Sequence, residues 1–206
     1  MDPSSHPSVK ANMNTSFNSA STGYLTGHFL VAMPGMTDPR FHRTVIYLCA
    51  HTSENAMGLI VNKPMQDLRF TDILENLNIT PRSNNCQAIH VHRGGPVERQ
   101  RGFVLHSADY QREGTLMLNE RIALSATTEI LKSIADGMGP QRNLMALGYS
   151  GWGAGQLDEE IKRNAWLTVP ADADLLFDAD FGCKWEHALS KLGIAPHRLS
   201  GQCGHA

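Results

Sequence analysis

A chain of 206 residues with 41% hydrophobic and 18% charged content can bury a core without disulfides or a structural metal. Its net charge of −2 argues against bulk electrostatic attraction to nucleic acid or to an anionic membrane. No apolar run approaches the ~18 residues that span a bilayer, and the start of the chain lacks the basic and apolar regions of a secretion signal. The expectation is a cytoplasmic protein without a membrane partner, whose cysteines, Cys49, Cys86, Cys183 and Cys203, are free thiols.

Residues 1–22 are rich in Ser and Asn and poor in large apolar side chains. They read as a flexible tail, with 23–206 as one domain. Residues 25–32 read as a strand stopped by Pro34-Gly35. Residues 44–50, β-branched and aromatic, form a second strand. A polar turn at Ser53-Glu54-Asn55 joins it to residues 57–61 as a hairpin, which Pro64 ends. Phe70, Ile73, Leu74 and Leu77 make one helical stripe, and Asn78 follows as a left-handed cap. Ile89 and Val91 alternate with His90 and His92, so a strand there carries both histidines on one face. Gly94-Gly95-Pro96 marks a turn, and residues 103–105 and 116–118 read as short strands. Ser125 is placed to cap a helix carrying Ile130, Leu131 and Ile134, ended by Gly137.

Residues 144–147 read as a buried strand running into a glycine-rich loop, 148–155, before a short helix that begins at Gln156 or Leu157. Residues 166–169 form a strand ended by Pro170. Trp185, Ala188, Leu189 and Leu192 share one face of a last helix, closed by Gly193 and Pro196. Adjacent early strands require antiparallel pairing, whereas helices between the later strands allow parallel pairing. The fold class is α/β, a mixed sheet with packed helices.

No catalytic constellation is legible. In Gly148-Tyr149-Ser150-Gly151-Trp152 a tryptophan stands where a nucleophile elbow needs glycine. The run carries neither the lysine of a P-loop nor the spacing of a dinucleotide fingerprint. Asp158, Glu159 and Glu160 occupy the first turn of the helix that follows, where they complement its dipole and oppose phosphate. His90 and His92 could be two metal ligands, but no local third ligand accompanies them. The expectation is therefore no metal and no cofactor.

Charge is segregated. Residues 82–112 hold five arginines against Glu98 and Asp109, and residues 158–186 are mainly acidic. The candidate binding surface joins three segments: Pro34 and Gly35; Arg93, Gly94, Gly95, Pro96 and Arg99; and Ser150, Gly151, Trp152, Gly153 and Gln156. Glycine gives these segments backbone freedom, and Arg and Trp suit recognition. Two alternatives stay open: Gly94-Gly95-Pro96 as a tight turn only, and Trp152 as a core anchor.

Taken together the motifs resemble the AlgH/YqgE-like family of bacterial proteins. The resemblance runs from about Tyr24 to the C-terminus. It is carried by Gly27-His28-Phe29-Leu30, Met33-Pro34-Gly35-Met36 with Asp38 and Phe41, Met57-Gly58-Leu59-Ile60-Val61-Asn62-Lys63-Pro64 and Gly94-Gly95-Pro96-Val97. It continues through residues 148–157, Trp166-Leu167, Pro170-Ala171-Asp172 and the closing Gly204-His205-Ala206. The resemblance implies a bifurcated, barrel-like β-sheet with packed helices and a cytosolic bacterial protein. It supplies no catalytic residues. It carries a transcriptional-regulator label, yet no DNA-reading helical module is legible here. The functional expectation is a non-enzymatic binding or regulatory protein with an unknown protein or small-molecule partner and no direct specific DNA binding. The alternative is an enzyme or small-anion binder that uses the 148–156 loop.

Overall fold

Strand formation begins where the apolar, β-branched pattern begins. Strand β1 (His28–Ala32) pairs antiparallel with β2 (Val45–His51), all seven residues of which are buried, and β2 forms a hairpin with β3 (Asn55–Ile60). The computed structural model describes residues 24–194. The tail expected at 1–22, Cys203, Pro196 and the closing Gly204-His205-Ala206 lie outside the described residues.

Pro64 does not simply end the hairpin; it opens β4 (Pro64–Arg69). Proline is tolerated as the first residue of a strand, and β4 pairs on one side only, with β5 (His90–Arg93). Between them lies α1 (Phe70–Asn76), with Phe70 and Leu74 buried and Asn78 left-handed at φ 55°. Leu77 falls past the last turn and stays 41% exposed.

The strand expected at 103–105 is the inner end of β6 (Val97–Ser107), which runs for eleven residues. Strands β7 (Thr115–Met117) and β8 (Ile122–Ser125) follow. Ser125 ends β8 rather than capping the next helix; Thr127 occupies the N-cap of α2 (Thr128–Ala135). Ile130, Leu131 and Ile134 of α2 are buried, and Gly137 takes φ 77° just past its end.

The largest departure is β9 (Asn143–Gly153), an eleven-residue strand that absorbs most of the run expected to be a loop. Helix α3 (Gln156–Lys162) starts as expected, after Gly155 in the left-handed region. Strand β10 (Trp166–Pro170) closes the sheet against β1. A short helix, α4 (Ala173–Phe177), capped by the Asp172 side chain on Leu175 N, precedes α5 (Lys184–Ser190). Leu192 lies beyond α5 and is 38% exposed.

The sheet has ten strands and branches along β9. The outer end of β9 pairs with β3, from Gly58 opposite Ser150 to Asn55 opposite Gly153. The inner end pairs antiparallel with β6, and in parallel with β5 through Val91 opposite Met145. That is the one parallel pair among the described residues; the rest of the curled sheet is antiparallel. The result is a mixed α/β single domain with a half-barrel sheet. Helices α4 and α5 cover one core built on Phe29, Tyr47 and Leu105, and α1 and α2 cover a second built on Val91, Val104 and Met145. Helix α3 covers a third with Trp152 and Trp166. Cys49 is a core residue, 4% exposed.

Candidate functional site at the sheet branch

The branch is a crossing of two backbones. Gly94 N–H donates to Leu147 O at 2.8 Å, and Gly94 O accepts from Ile60 N–H at 2.8 Å. A Cβ on Gly95 would stand 2.0 Å from the carbonyl carbon of Tyr149. Gly148, at φ 72°, lets β9 turn from one set of partners to the other while passing Gly95 O. The segments around Gly94-Gly95-Pro96 and around Ser150 therefore do meet. They meet through buried backbone: Ser150 is 1% exposed and its hydroxyl faces Gly94 O at 3.5 Å.

Trp152 and Gln156 are held on a different face. The indole N–H groups of Trp152 and Trp166 both donate to Glu160 Oε2, at 2.9 and 2.8 Å. Gln156 Nε2 donates to Glu160 Oε1 at 2.9 Å, and Gln156 Oε1 accepts from Gly153 N–H at 3.1 Å. The two indoles meet edge to face at 6.2 Å. Trp152 is 6% exposed, so this clamp anchors α3 to the sheet. Gly151 and Gly153 are exposed on β9. Pro34 and Gly35 sit in the turn after β1 and line neither the cleft at Arg93 and Arg99 nor the cleft at His90 and His92.

Arg93, Gly95, Pro96 and Arg99 do share a concavity. A cleft of about 280 Å³ lies between them, floored by Ile60, Met65 and Leu147 and closed by Arg40. Arg40 forms an ion pair with Asp38, at 2.6 Å. Arg93 and Arg99 are exposed and make no ion pair among the described residues. No carboxylate lines the cleft. Sequence reasoning found Arg93 and Arg99 but missed Arg40, because only the tertiary fold carries the loop after β1 across to the branch.

The H-x-H pair behaves as its spacing implies. His90 and His92 both meet Phe181 edge to face, at 5.2 and 4.7 Å, on one wall of a cleft of about 430 Å³. His92 is 1% exposed; its Nδ1–H donates to Met145 O at 3.2 Å, and its Nε2 has no partner among the described residues. Burial lowers its pKa to about 4, with the Lys184 and His90 charges adding to the effect. Lys184 is fully buried, donates to Leu176 O at 2.7 Å, and has its pKa lowered by burial to about 8. No group of three or more metal-ligating side chains gathers among the described residues.

A pH dependence follows for His92. Unfolded histidine takes up a proton near pH 6.5, whereas folded His92 does so only near pH 4. Between those values the unfolded state binds more protons, so stability falls as pH falls. The expected loss is about 3 kcal/mol. Guanidinium titrations at pH 7 and pH 4.5 should show a smaller drop in His92→Leu than in the unaltered protein. An equal drop would remove His92 as the cause.

A serine–histidine contact exists, though not at Ser150. Ser125 Oγ–H donates to His106 Nε2 at 3.0 Å, and His106 Nδ1–H donates to Ser107 O at 2.9 Å. Thr115 Oγ1 approaches Ser125 Oγ at 3.1 Å. Ser125 is 2% exposed and His106 0%, so the chain of contacts satisfies buried polar groups between β6, β7 and β8.

The fold thus defines a class: a mixed α/β protein with a curled, branched sheet and a cationic cleft at the branch. The AlgH-like family profile matches residues 29–197, and the chain belongs to that family. A UPF0301 protein of Rhodospirillum rubrum is 56% identical over 184 residues, covering 89% of this chain and 95% of the relative. A UPF0301 protein of Cereibacter sphaeroides is 52% identical over 183 residues, with 88% and 99% covered. The solution structure of the AlgH protein from Pseudomonas aeruginosa matches with a TM-score of 0.74 at 44% identity, covering 92% of this chain and all of that one. A protein from Corynebacterium diphtheriae, at 20% identity, TM-score 0.65 and 86% and 92% coverage, shares the fold.

Proposed function

We propose that this protein is a non-enzymatic binding or regulatory protein that recognises an anionic group in the cleft of Arg40, Arg93 and Arg99. One observation carries the reading: two exposed guanidinium groups flank an apolar floor without a carboxylate to neutralise them. Guanidinium forks match carboxylate and phosphate oxygens bidentately, and an apolar floor beneath them strengthens such contacts by excluding water. At about 280 Å³ the cleft lies just below the ~300 Å³ at which small-molecule sites begin, so it suits an anionic head or an acidic side chain.

The test is an NMR titration with inorganic phosphate that follows the Nε–H signals of the arginines. Arg93 and Arg99 should shift together and saturate, and the Arg93→Ala, Arg99→Ala double variant should weaken binding at least tenfold. Scattered shifts over all arginines without saturation would refute a built site.

The location that goes with this reading is the cytosol. It is supported by free thiols at Cys49, Cys86 and Cys183, and no helix of the described residues is long and apolar enough to cross a membrane. Any influence on transcription is exerted through a partner. A specific DNA site should not be footprinted at ~150 mM salt, where sequence-specific proteins bind with ~10⁻⁸ M affinity or tighter. A nanomolar footprint would overturn this.

A further inference from the structure

The arginine cleft does not stop at Arg99. Arg99 and Leu147 also belong to a second groove, of about 380 Å³, lined by Leu68, Ile73 and Leu77 from the α1 side and Leu131 from α2. Val104 and Met145 of the sheet contribute to the same lining, and Arg99 is its sole charged residue. A cationic pocket and a mainly apolar groove, whose rim also carries Asn76, Gln100, Ser125, Thr127 and Thr128, thus share one wall. Resting on the anion-binding reading above, we propose that the two are one site, and that its occupant is a single-chain amphiphile: an unbranched aliphatic chain ending in a carboxylate or phosphate.

Three features of the molecule select this occupant. The charges are complementary to a terminal anion and lie at one end only, so the ligand must be anionic at one end and apolar along the rest. Strand β9 beside the groove is paired on both sides, with β5 and with β6, and offers a peptide main chain no free hydrogen bonds, while β6 pairs with β8 only from Val104 to Ser107. Leu77, left 41% exposed at the end of α1, is the kind of rim residue that a bound chain would cover.

The experiment is calorimetric titration of the full chain with sodium decanoate, decyl phosphate, butyrate and decanol, each below its aggregation limit. Burial of one methylene changes affinity about fourfold. Decanoate and decyl phosphate should therefore bind one per chain, with butyrate weaker by roughly a hundredfold or more. Decanol should be weaker than decanoate by about tenfold, the worth of one charge-assisted contact. Arg99→Ala should weaken decanoate about tenfold and leave decanol unchanged. Leu77→Glu, a surface change that spares the core, should reduce the gain from chain length.

Butyrate or phosphate binding as tightly as decanoate would overturn the amphiphile while leaving the arginine cleft standing. No binding by any anion would remove both. Decanol matching decanoate would show an apolar groove with no part for the arginines. Binding to phosphatidylglycerol vesicles, without binding to monomeric decanoate, would overturn the proposal in favour of a lipid surface.

Discussion

Trp152→Ala is expected to cost about 3–5 kcal/mol of stability. The side chain is almost fully buried in the core under α3, packed edge to face on Trp166. Its removal opens a cavity between β9 and α3, and it takes away one of the two indole donors that hold the Glu160 carboxylate. A protein of this size loses roughly 2–4 °C of melting temperature per kcal/mol, so a fall of about 10 °C is expected in a calorimetric scan. Trp152→Phe separates the contributions. It keeps a six-membered ring against Trp166 but loses the N–H and part of the indole's packing, which should together cost about 1–3 kcal/mol. Unchanged melting in Trp152→Ala would mean that the indole is not a core anchor and would reopen its use in recognition.

The second large effect belongs to Gly95→Ala. Most glycine-to-alanine changes are mild. Here the new methyl would stand 2.0 Å from a backbone carbon and 2.2 Å from the oxygen of Tyr149. Backbone in a paired strand cannot rotate away as a side chain can, so the chains must separate at the branch. The expected cost is about 3 kcal/mol, the upper end for overpacking. The hydrogen bonds that Gly94 makes to Leu147 and Ile60 lie at the same crossing and should weaken with it. Amide exchange should accordingly rise at Ile60 and Gly94 more than in β1 or β10. Gly155→Ala is the comparison. Nothing lies within 4 Å of its Cβ position, and its φ of 66° brings only the ordinary left-handed penalty. Equal destabilisation by the two changes would show that crowding at the crossing is not the cause.

Both effects concern residues first read as recognition groups. For Trp152 the alternatives were a recognition side chain or a core anchor, and its spacing within a glycine run did not choose between them. The choice depended on Glu160 and Trp166, which reach it only when α3 folds back over β10. Arg93 and Arg99 were legible as a basic pair around a turn. Their shared cleft was not, because its floor is assembled from Ile60, Met65 and Leu147 on three strands. In the sequence Glu160 reads only as a complement to the helix dipole, and nothing in its neighbours in sequence shows that it receives two indoles.

What the amino-acid order determined by itself is local. The β2–β3 hairpin, the apolar stripes of α1 and α2, the left-handed Asn78, the start of α3, the shared face of His90 and His92, and the buried face of α5 all follow from side-chain period and cap chemistry. Those signals act over a few residues and need no partner. Besides β4, four elements escape that reading for one reason. Strand β8 is only four residues long, and α4 is a helix of five. The outer end of β6 carries exposed polar side chains, and the outer end of β9 is rich in glycine. None has a period that separates it from loop. Each is settled by what pairs with it or packs on it. The tertiary structure alone decided where the sheet branches, because branching requires β9 to exchange one set of partners for another at Gly148, and those partners come from strands far away in the chain. The cationic cleft is a consequence of that branch, so its residues could be suspected one at a time in the sequence but assembled only by the fold.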